Sequence, residues 1–416
     1  MKRFFQIRPI TILFLVTLLD LVGFGIVLPL LPALFTDPHS RYTLLTPGMS
    51  VQQGYVLFGL LIAIYPFFQF FTAPVWGQLS DRFGRRNLLA ASMLAMSLSN
   101  GLFAFALYYK MLPLLFIAKA LAGASGGNLS ITQAVVADLY EPKERAKKFG
   151  IIGAGFGIGM VLGPYLGGKL IDTSIMPWFT IVTPFVFSTF LSVLSALSII
   201  LFLPETLHKK HDDEINWLQS LNNVASAYEL KRMRAIFLVG FLFQASFVFF
   251  ASFINVFLYK KFFFSESQIG EFFGYVGVWI AITQIGISRF ILDRIPNRTT
   301  IVWSLTIYTI VILSLFVVSQ TWMLLVGAAL FSITNALAQM SILAEVSNQA
   351  HERSQGKILG LNASIYAVAQ MIPPLLSGFL AATFQSNAPI LAAAAVSGCA
   401  AIFYFINTRN QQEPTS

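Results

Sequence analysis

Gly77-Gln-Leu79-Ser-Asp81-Arg82-Phe-Gly84-Arg85-Arg86 separates two long apolar stretches and packs three arginines and one aspartate into ten residues. So short and charged a segment between lipid-soluble runs reads as a tight link between two membrane helices, and its arginines fix the side of the membrane it occupies. Gly77 and Gly84 permit a sharp turn and close backbone approach. Glycines and an aspartate are more than topology alone requires, so the link reads as a part that moves.

Composition supports a membrane protein. Of 416 residues, 56% are hydrophobic and 11% charged, with a mean hydropathy of +0.73, whereas charged residues make up about 25% of an ordinary soluble domain. A hydrocarbon core of roughly 30 Å takes about 20 apolar residues per helix, and twelve windows of that kind run along the chain. They cover residues 10–34, 55–77, 88–107, 112–139, 149–170 and 178–203, then 235–258, 269–292, 301–318, 323–346, 358–384 and 390–406. The expected fold is all-α, with twelve transmembrane helices in two pseudo-symmetric six-helix bundles.

A net charge of +9 raises nucleic acid as a partner, but the placement of the basic residues points to topology and no nucleic acid is expected. With the N-terminus inside, 21 of the 27 lysines and arginines fall at the cytoplasmic side. Arg41, Lys110, Lys169, Lys260 and Lys261 fall outside, and Lys119 lies within a span. Both termini are therefore expected in the cytoplasm. Lys2, Arg3 and Arg8 resemble the start of a signal peptide, but the apolar run to Leu34 is too long and is read as the first span. Cys399 stands alone, so no intramolecular disulfide forms.

Pro204-Glu205-Thr206 ends the sixth span, and about thirty polar residues follow. The expected units are an N-terminal bundle (1–204), a linker (205–234) and a C-terminal bundle (235–416). An internal repeat supports the division. Asp81-Arg82-Phe-Gly-Arg-Arg86 recurs in weakened form as Asp293-Arg294-Ile-Pro-Asn-Arg298. Asp138, Arg145 and Gly163-Pro164 recur in the same order as Glu345, Arg353 and Pro373-Pro374.

With this repeated loop pattern the chain resembles the major facilitator superfamily. Leu19-Asp20-Leu-Val-Gly23-Phe-Gly25-Ile-Val-Leu-Pro29 and Gly159-Met-Val-Leu-Gly163-Pro164-Tyr-Leu-Gly167-Gly168 are similar to its twelve-helix drug:proton antiporters, tetracycline/metal–proton exchangers among them. The resemblance implies a monomeric multi-pass protein of the cell inner (plasma) membrane that carries small molecules and protons and needs no cofactor. It also implies a gating latch built from Gly77, Asp81, Arg82, Gly84, Arg85 and Arg86. In that latch Asp81 faces the start of span eleven and Arg85 pairs with Asp138.

Gly155, Gly159, Gly163 and Gly167 recur every fourth residue and so share one helix face open to close approach, with Pro164 beside it. The resemblance makes this an antiporter motif at the interface of the two halves. Gly163 to Lys169 also nearly matches a phosphate-binding loop. Leu170 stands where a magnesium-binding hydroxyl belongs, and no strand precedes the loop, so ATP is not the expected energy source.

Asp20 lies about ten residues into span one, roughly 15 Å deep. A charge there costs at least about 2.5–3.5 kcal/mol and so calls for a partner or a proton. Asp20 is the expected proton carrier. Lys119 stands where the family has arginine and is read as the partner of Asp20, or as a receptor for an anionic substrate. Tetracycline–metal exchangers carry an acid in span three and a histidine in span eight, where this chain has Ser99-Asn100 and Ile280. The four histidines, His39, His208, His211 and His351, lie in loops, and no metal site is expected. Candidate cavity residues are Gln69, Asn128, Gln133, Gln244, Gln284, Asn335 and Gln339, with Asn255, Asn362 and Gln370 as further polar positions inside spans.

These features predict proton-coupled antiport of small amphipathic organic molecules or drugs by alternating access. The alternative is a carrier for an anionic metabolite or siderophore-like polycarboxylate. A sensor or scaffold lacks an output domain in loops this short. A membrane enzyme lacks a histidine or cysteine cluster in the spans.

Overall fold

The computed structural model describes residues 8–27, 29–207, 215–230, 233–349 and 355–410. His208, His211, His351 and Arg353 lie outside them. Every apolar window falls on helix. Span one is α1 (Pro9–Gly25) with the short α2 (Leu31–Phe35), span two α3 (Val51–Phe83) and span three α4 (Arg85–Tyr108). Span four is split into α5 (Leu112–Ala124) and α6 (Asn128–Leu139), and α7 (Pro142–Lys169) and α8 (Thr183–Phe202) complete the first set. The linker contributes α9 (Gln219–Glu229). Spans seven and eight are α10 (Arg234–Lys261) and α11 (Glu266–Ile282), the latter continued by a π-turn at Thr283–Ile287 and by α12 (Ser288–Leu292). Then come α13 (Asn297–Ser314), α14 (Thr321–Gln349), α15 (Gln355–Thr383) and α16 (Ala388–Asn410). The result is a twelve-span, two-bundle membrane fold.

Local signals start the helices. Ser50 and Gln53 form a capping box at α3, with the Gln53 N–H donating to Ser50 Oγ (3.2 Å) and the Ser50 N–H to Gln53 Oε1 (2.9 Å). Ser265 and Gln268 do the same for α11 at 3.3 and 2.9 Å. Each box satisfies amides that a helix start leaves free, and each opens the second span of its bundle.

The link at 77–86 is shorter than its charge pattern implied. Gly77 to Phe83 continue α3, Arg85 opens α4, and Gly84 alone breaks the helix at φ +104°. A Cβ at Gly84 would meet the Glu205 carboxylate at 2.5 Å, so glycine is required there twice over. Gly77 is under no such constraint, because a Cβ there meets nothing closer than Ser130 Oγ at 3.8 Å.

Buried apolar side chains sort by half. One core is drawn from residues 227–404, and a second, 10–203, from the first set. A third, built on residues 22–191, is crossed by Phe253, Val256 and Ala381 from the other half. This third core lies toward the face bearing the 36–50 turn, called here the far face; the face bearing Gly84 and α9 is the linker face. Glycines let the halves touch at the far face. A Cβ on Gly59 of α3 would lie 2.8 Å from Gly378 Cα of α15, and one on Gly168 of α7 would lie 2.7 Å from Glu266 O at the start of α11. The Lys169–Glu271 ion pair (2.6 Å) and the Tyr259–Asp37 hydrogen bond (2.8 Å) close the same face. Toward the linker face α7 and α11 part, and Gly150, Gly153, Gly157 and Gly286 look onto open space.

At the linker face α9 ties α3 to α15. Pro74 has no N–H to give the Phe70 carbonyl one turn back, and Ser220 Oγ donates to that carbonyl at 2.5 Å. Asn223 Nδ2 donates to Ser364 Oγ on α15 at 3.1 Å. Gln78 and the Asn216 backbone exchange a further pair of bonds at 2.7 and 3.3 Å.

Candidate functional site

The site grows out of the break in span four. Ser125-Gly126-Gly127 ends α5 and restarts the helix at Asn128, freeing carbonyls that α3 satisfies. Thr72 Oγ1 donates to Gly123 O (3.2 Å), Trp76 Nε1 to Ala124 O (2.7 Å) and Gln69 Nε2 to Gly126 O (3.2 Å). Gly127 lies so close to Trp76 that no Cβ fits. Asn128, first residue of α6, donates its side-chain amide to Asp20 of α1. The Asp20 carboxylate thus sits at the positive end of a half-helix dipole.

Lys119 lies on the other side of the break. Its ammonium is 5.8 Å from the Tyr65 ring centre and 5.7 Å from that of Phe103, and Tyr65 OH accepts from Gln69 Nε2 at 3.3 Å. Among the described residues no carboxylate comes within 4.0 Å of Lys119. The expected Asp20–Lys119 pair is not closed in this structure: Asn128 takes the aspartate and two aromatic faces take the ammonium. Of the residues gathered here, sequence singled out Asp20, Lys119, Asn128 and Gln69. It missed Tyr65 and the break itself, whose signal was Ser-Gly-Gly in the middle of a span.

At the linker face Arg85 is buried and pairs with Asp138 (Nε to Oδ2, 2.9 Å) and with Asp81 (2.5 Å). Asp81 therefore spends its charge within its own turn. The side chains at the start of α15 that it was expected to face lie outside the described residues. The Arg82 guanidinium lies 5.7 Å from the Phe83 ring centre, and Arg86 donates to Ile200 O. Glu205, read only as the end of span six, caps α4. Its Oε1 accepts from the Arg85 N–H (2.9 Å) and its Oε2 from the Arg86 N–H (3.3 Å). The second half repeats the pair as Arg298–Glu345 at 3.3 Å. Asn297 occupies the position equivalent to Arg85, and the partner of Glu345 comes from the next residue along.

The glycine ladder faces inward to its own half. A Cβ at Gly155 would press on Phe14 O (2.9 Å), at Gly159 on Leu18 O (2.8 Å) and at Gly163 on Gly25 Cα (2.8 Å), and Gly167 is held against Ile26 O. All four pack on span one or the turn after it, not on the opposite half. The contacts from α7 to α11 come instead from Val161, Pro164, Tyr165 and Gly168. Spacing placed four glycines on one face but did not say which neighbour that face meets.

The polar cavity candidates divide in two. Gln69 and Asn128 are held by the bonds described above, Asn335, Asn362 and Asn255 are buried, and Gln244 is half-buried. Gln133, Gln284, Gln339 and Gln370 are exposed on helices that cross the membrane. Ser99 and Asn100, where metal–tetracycline exchangers have an acid, are tied to Ala118 O (2.7 Å) and Ser192 Oγ (3.5 Å).

Two membrane bundles around a broken helix, with a carboxylate and an ammonium at mid-span, make a secondary transporter. The chain belongs to the Major Facilitator Superfamily, whose family model matches residues 13–302 and 236–416. It is 27% identical over 375 residues to the class H tetracycline resistance protein of Pasteurella multocida, covering 90% of this chain and 89% of that one. It is also 27% identical over 420 residues to Major facilitator superfamily domain-containing protein 10 of Homo sapiens, covering 89% and 86%. Among solved structures, the human organic anion transporter MFSD10 (TETRAN) aligns with a TM-score of 0.70 at 24% identity, over 95% of this chain and 99% of that one. The nucleoside transporter NupG aligns with a TM-score of 0.75 at 12% identity, over 96% and 99%. These relatives are transporters, not enzymes.

Proposed function

We propose that the chain is a proton-coupled antiporter that exports small amphipathic organic molecules, drugs among them, across the cell inner membrane with both termini in the cytoplasm. The observation that carries this is Asp20, bonded to Asn128 at the restart of span four. Asp20 takes or releases the proton. Residues 1–204 and 235–416 rock as two bodies joined by the linker 205–234, and the arrangement closed at the far face corresponds to an inward-open state. Arg85, Asp138 and Asp81 hold the linker-face end of the first bundle as one unit while the halves move. The class H tetracycline resistance relative supports drug export. The exchange of an acid for Ser99-Asn100 argues against a metal chelate as cargo.

Lys119 favours a second function, carriage of an anionic metabolite or siderophore-like polycarboxylate, because its ammonium lies against two aromatic faces and, among the described residues, within 4.0 Å of no carboxylate. Everted vesicles tested with a cationic dye (ethidium) and an anionic one (carboxyfluorescein), for wild type and Lys119→Met, separate the two. Drug:proton exchange predicts that ethidium uptake depends on the pH gradient and falls at least about tenfold in the variant, since coupling is lost with the lysine. Loss of carboxyfluorescein transport alone identifies the anion carrier. Ethidium uptake that survives collapse of the gradient refutes proton coupling.

A further inference from the structure

The far face holds a polar cavity of about 500 Å³ between the start of α3, the end of α10 and the turn from α15 to α16. Lys260, Lys261, Gln52, Gln385 and Asn387 supply its donors, and Phe257 and Phe384 part of its apolar wall. Among the described residues no carboxylate lines it. The Lys260 ammonium donates to Tyr55 OH and lies 4.9 Å from the centre of that ring. Lys261 donates to the carbonyls of Leu315 and Phe316 at 2.8 and 3.1 Å. Among the described residues neither has a carboxylate within 4.0 Å, and the nearby Asp37 is taken by Tyr259 (2.8 Å). Two positive charges therefore meet neutral dipoles in a cavity that is polar on one side and apolar on the other. The other lysine closing this face, Lys169, has its Glu271.

We infer that this cavity binds an amphipathic anion, a phosphate or carboxylate head with an apolar tail, and that the bound anion staples the far face shut. The head meets Lys260 in a charge-assisted contact and the amides of Gln52, Gln385 and Asn387 complete its shell, while the tail lies along Phe257 and Phe384. Gln52 and Tyr55 come from the first half and every other donor from the second, so the occupant bridges a seam that has to part before the far face can open. The head group has two possible sources, an anionic phospholipid of the adjoining leaflet or a soluble amphipathic anion. The site stands apart from Asp20 and Lys119 and does not depend on the transported cargo.

Purified protein in neutral detergent, titrated with hexyl phosphate and, as a control, with hexanol, tests it through the thermal unfolding midpoint. Hexyl phosphate should raise the midpoint saturably, by about 3 °C or more near 100-fold over Kd, and hexanol should not. Lys260→Gln should weaken the response about tenfold or more and Lys260→Arg should keep it, since the head needs a charge there. Lys119→Met should leave it intact. No saturable shift, an equal shift in Lys260→Gln, or a shift lost in Lys119→Met would each overturn the inference. Native mass spectrometry from phosphatidylglycerol-containing membranes then names the source. Retention of that lipid by wild type and not by Lys260→Gln assigns the head to lipid, and hexyl phosphate binding without lipid retention assigns it to a soluble anion.

Discussion

Gly163 and Gly157 sit six residues apart on α7 and carry opposite expectations. A Cβ at Gly163 would stand 2.8 Å from both Gly25 Cα and Val22 O, and neither backbone atom can move without shifting α1, whereas Gly157 looks onto open space. Gly163→Ala should therefore cost about 1–3 kcal/mol, read as a fall of several degrees in the detergent unfolding midpoint, while Gly157→Ala should leave the midpoint unchanged or slightly raised. Equal effects would show that the α1–α7 contact is looser than drawn. At this scale the sequence was legible wherever an unusual residue type met an unusual place. Asp20, Lys119, Arg85 and Asp138 stood out because charge in or beside an apolar span has few bland explanations. Glu205 did not, because an acid after a span is ordinary and its role as the cap of α4 depends on a neighbour 120 residues away.

Elements were legible through hydrophobic length, which marks where a helix crosses but is blind to interruptions inside it. Residues 112–139 stay apolar through Ser125-Gly126-Gly127, so the break between α5 and α6 left no trace in a window count. Its stability comes from Gln69, Thr72 and Trp76 on another span. The linker shows the same limit, since Gln219 to Glu229 reads as polar sequence until Pro74 is seen to leave the Phe70 carbonyl without a donor. Ser220 fills that vacancy. Ser220→Ala should strand the carbonyl at a cost of about 1–3 kcal/mol and loosen α9. Hydrogen exchange over residues 219–229 should then accelerate at least about fivefold, the opening constant expected for a loss of roughly 1 kcal/mol. Unchanged protection would mean that Asn223 and the Gln78–Asn216 pair hold the helix without it.

For the whole molecule the duplicated loop motif revealed two halves, and the structure adds how they meet. Contact is concentrated at the far face, through Gly59–Gly378, Gly168–Glu266 and Lys169–Glu271, and is relaxed toward the linker face between α7 and α11. If transport needs this seam to part, a short bifunctional thiol reagent joining Lys169→Cys to Glu271→Cys in a Cys399→Ser background should abolish transport, with recovery on reduction. Full activity while cross-linked would show that the far face never opens there. Which way the cargo moves and what pays for its movement rest on Asp20, and proteoliposomes loaded with a pH-sensitive dye test this most directly. An ethidium pulse should drive proton movement opposite to the dye in wild type, and Asp20→Asn, which keeps a side chain able to bond Asn128, should fold normally and move no protons. Wild-type ethidium flux without proton movement, or proton movement undiminished in Asp20→Asn, would contradict proton exchange at the break in span four.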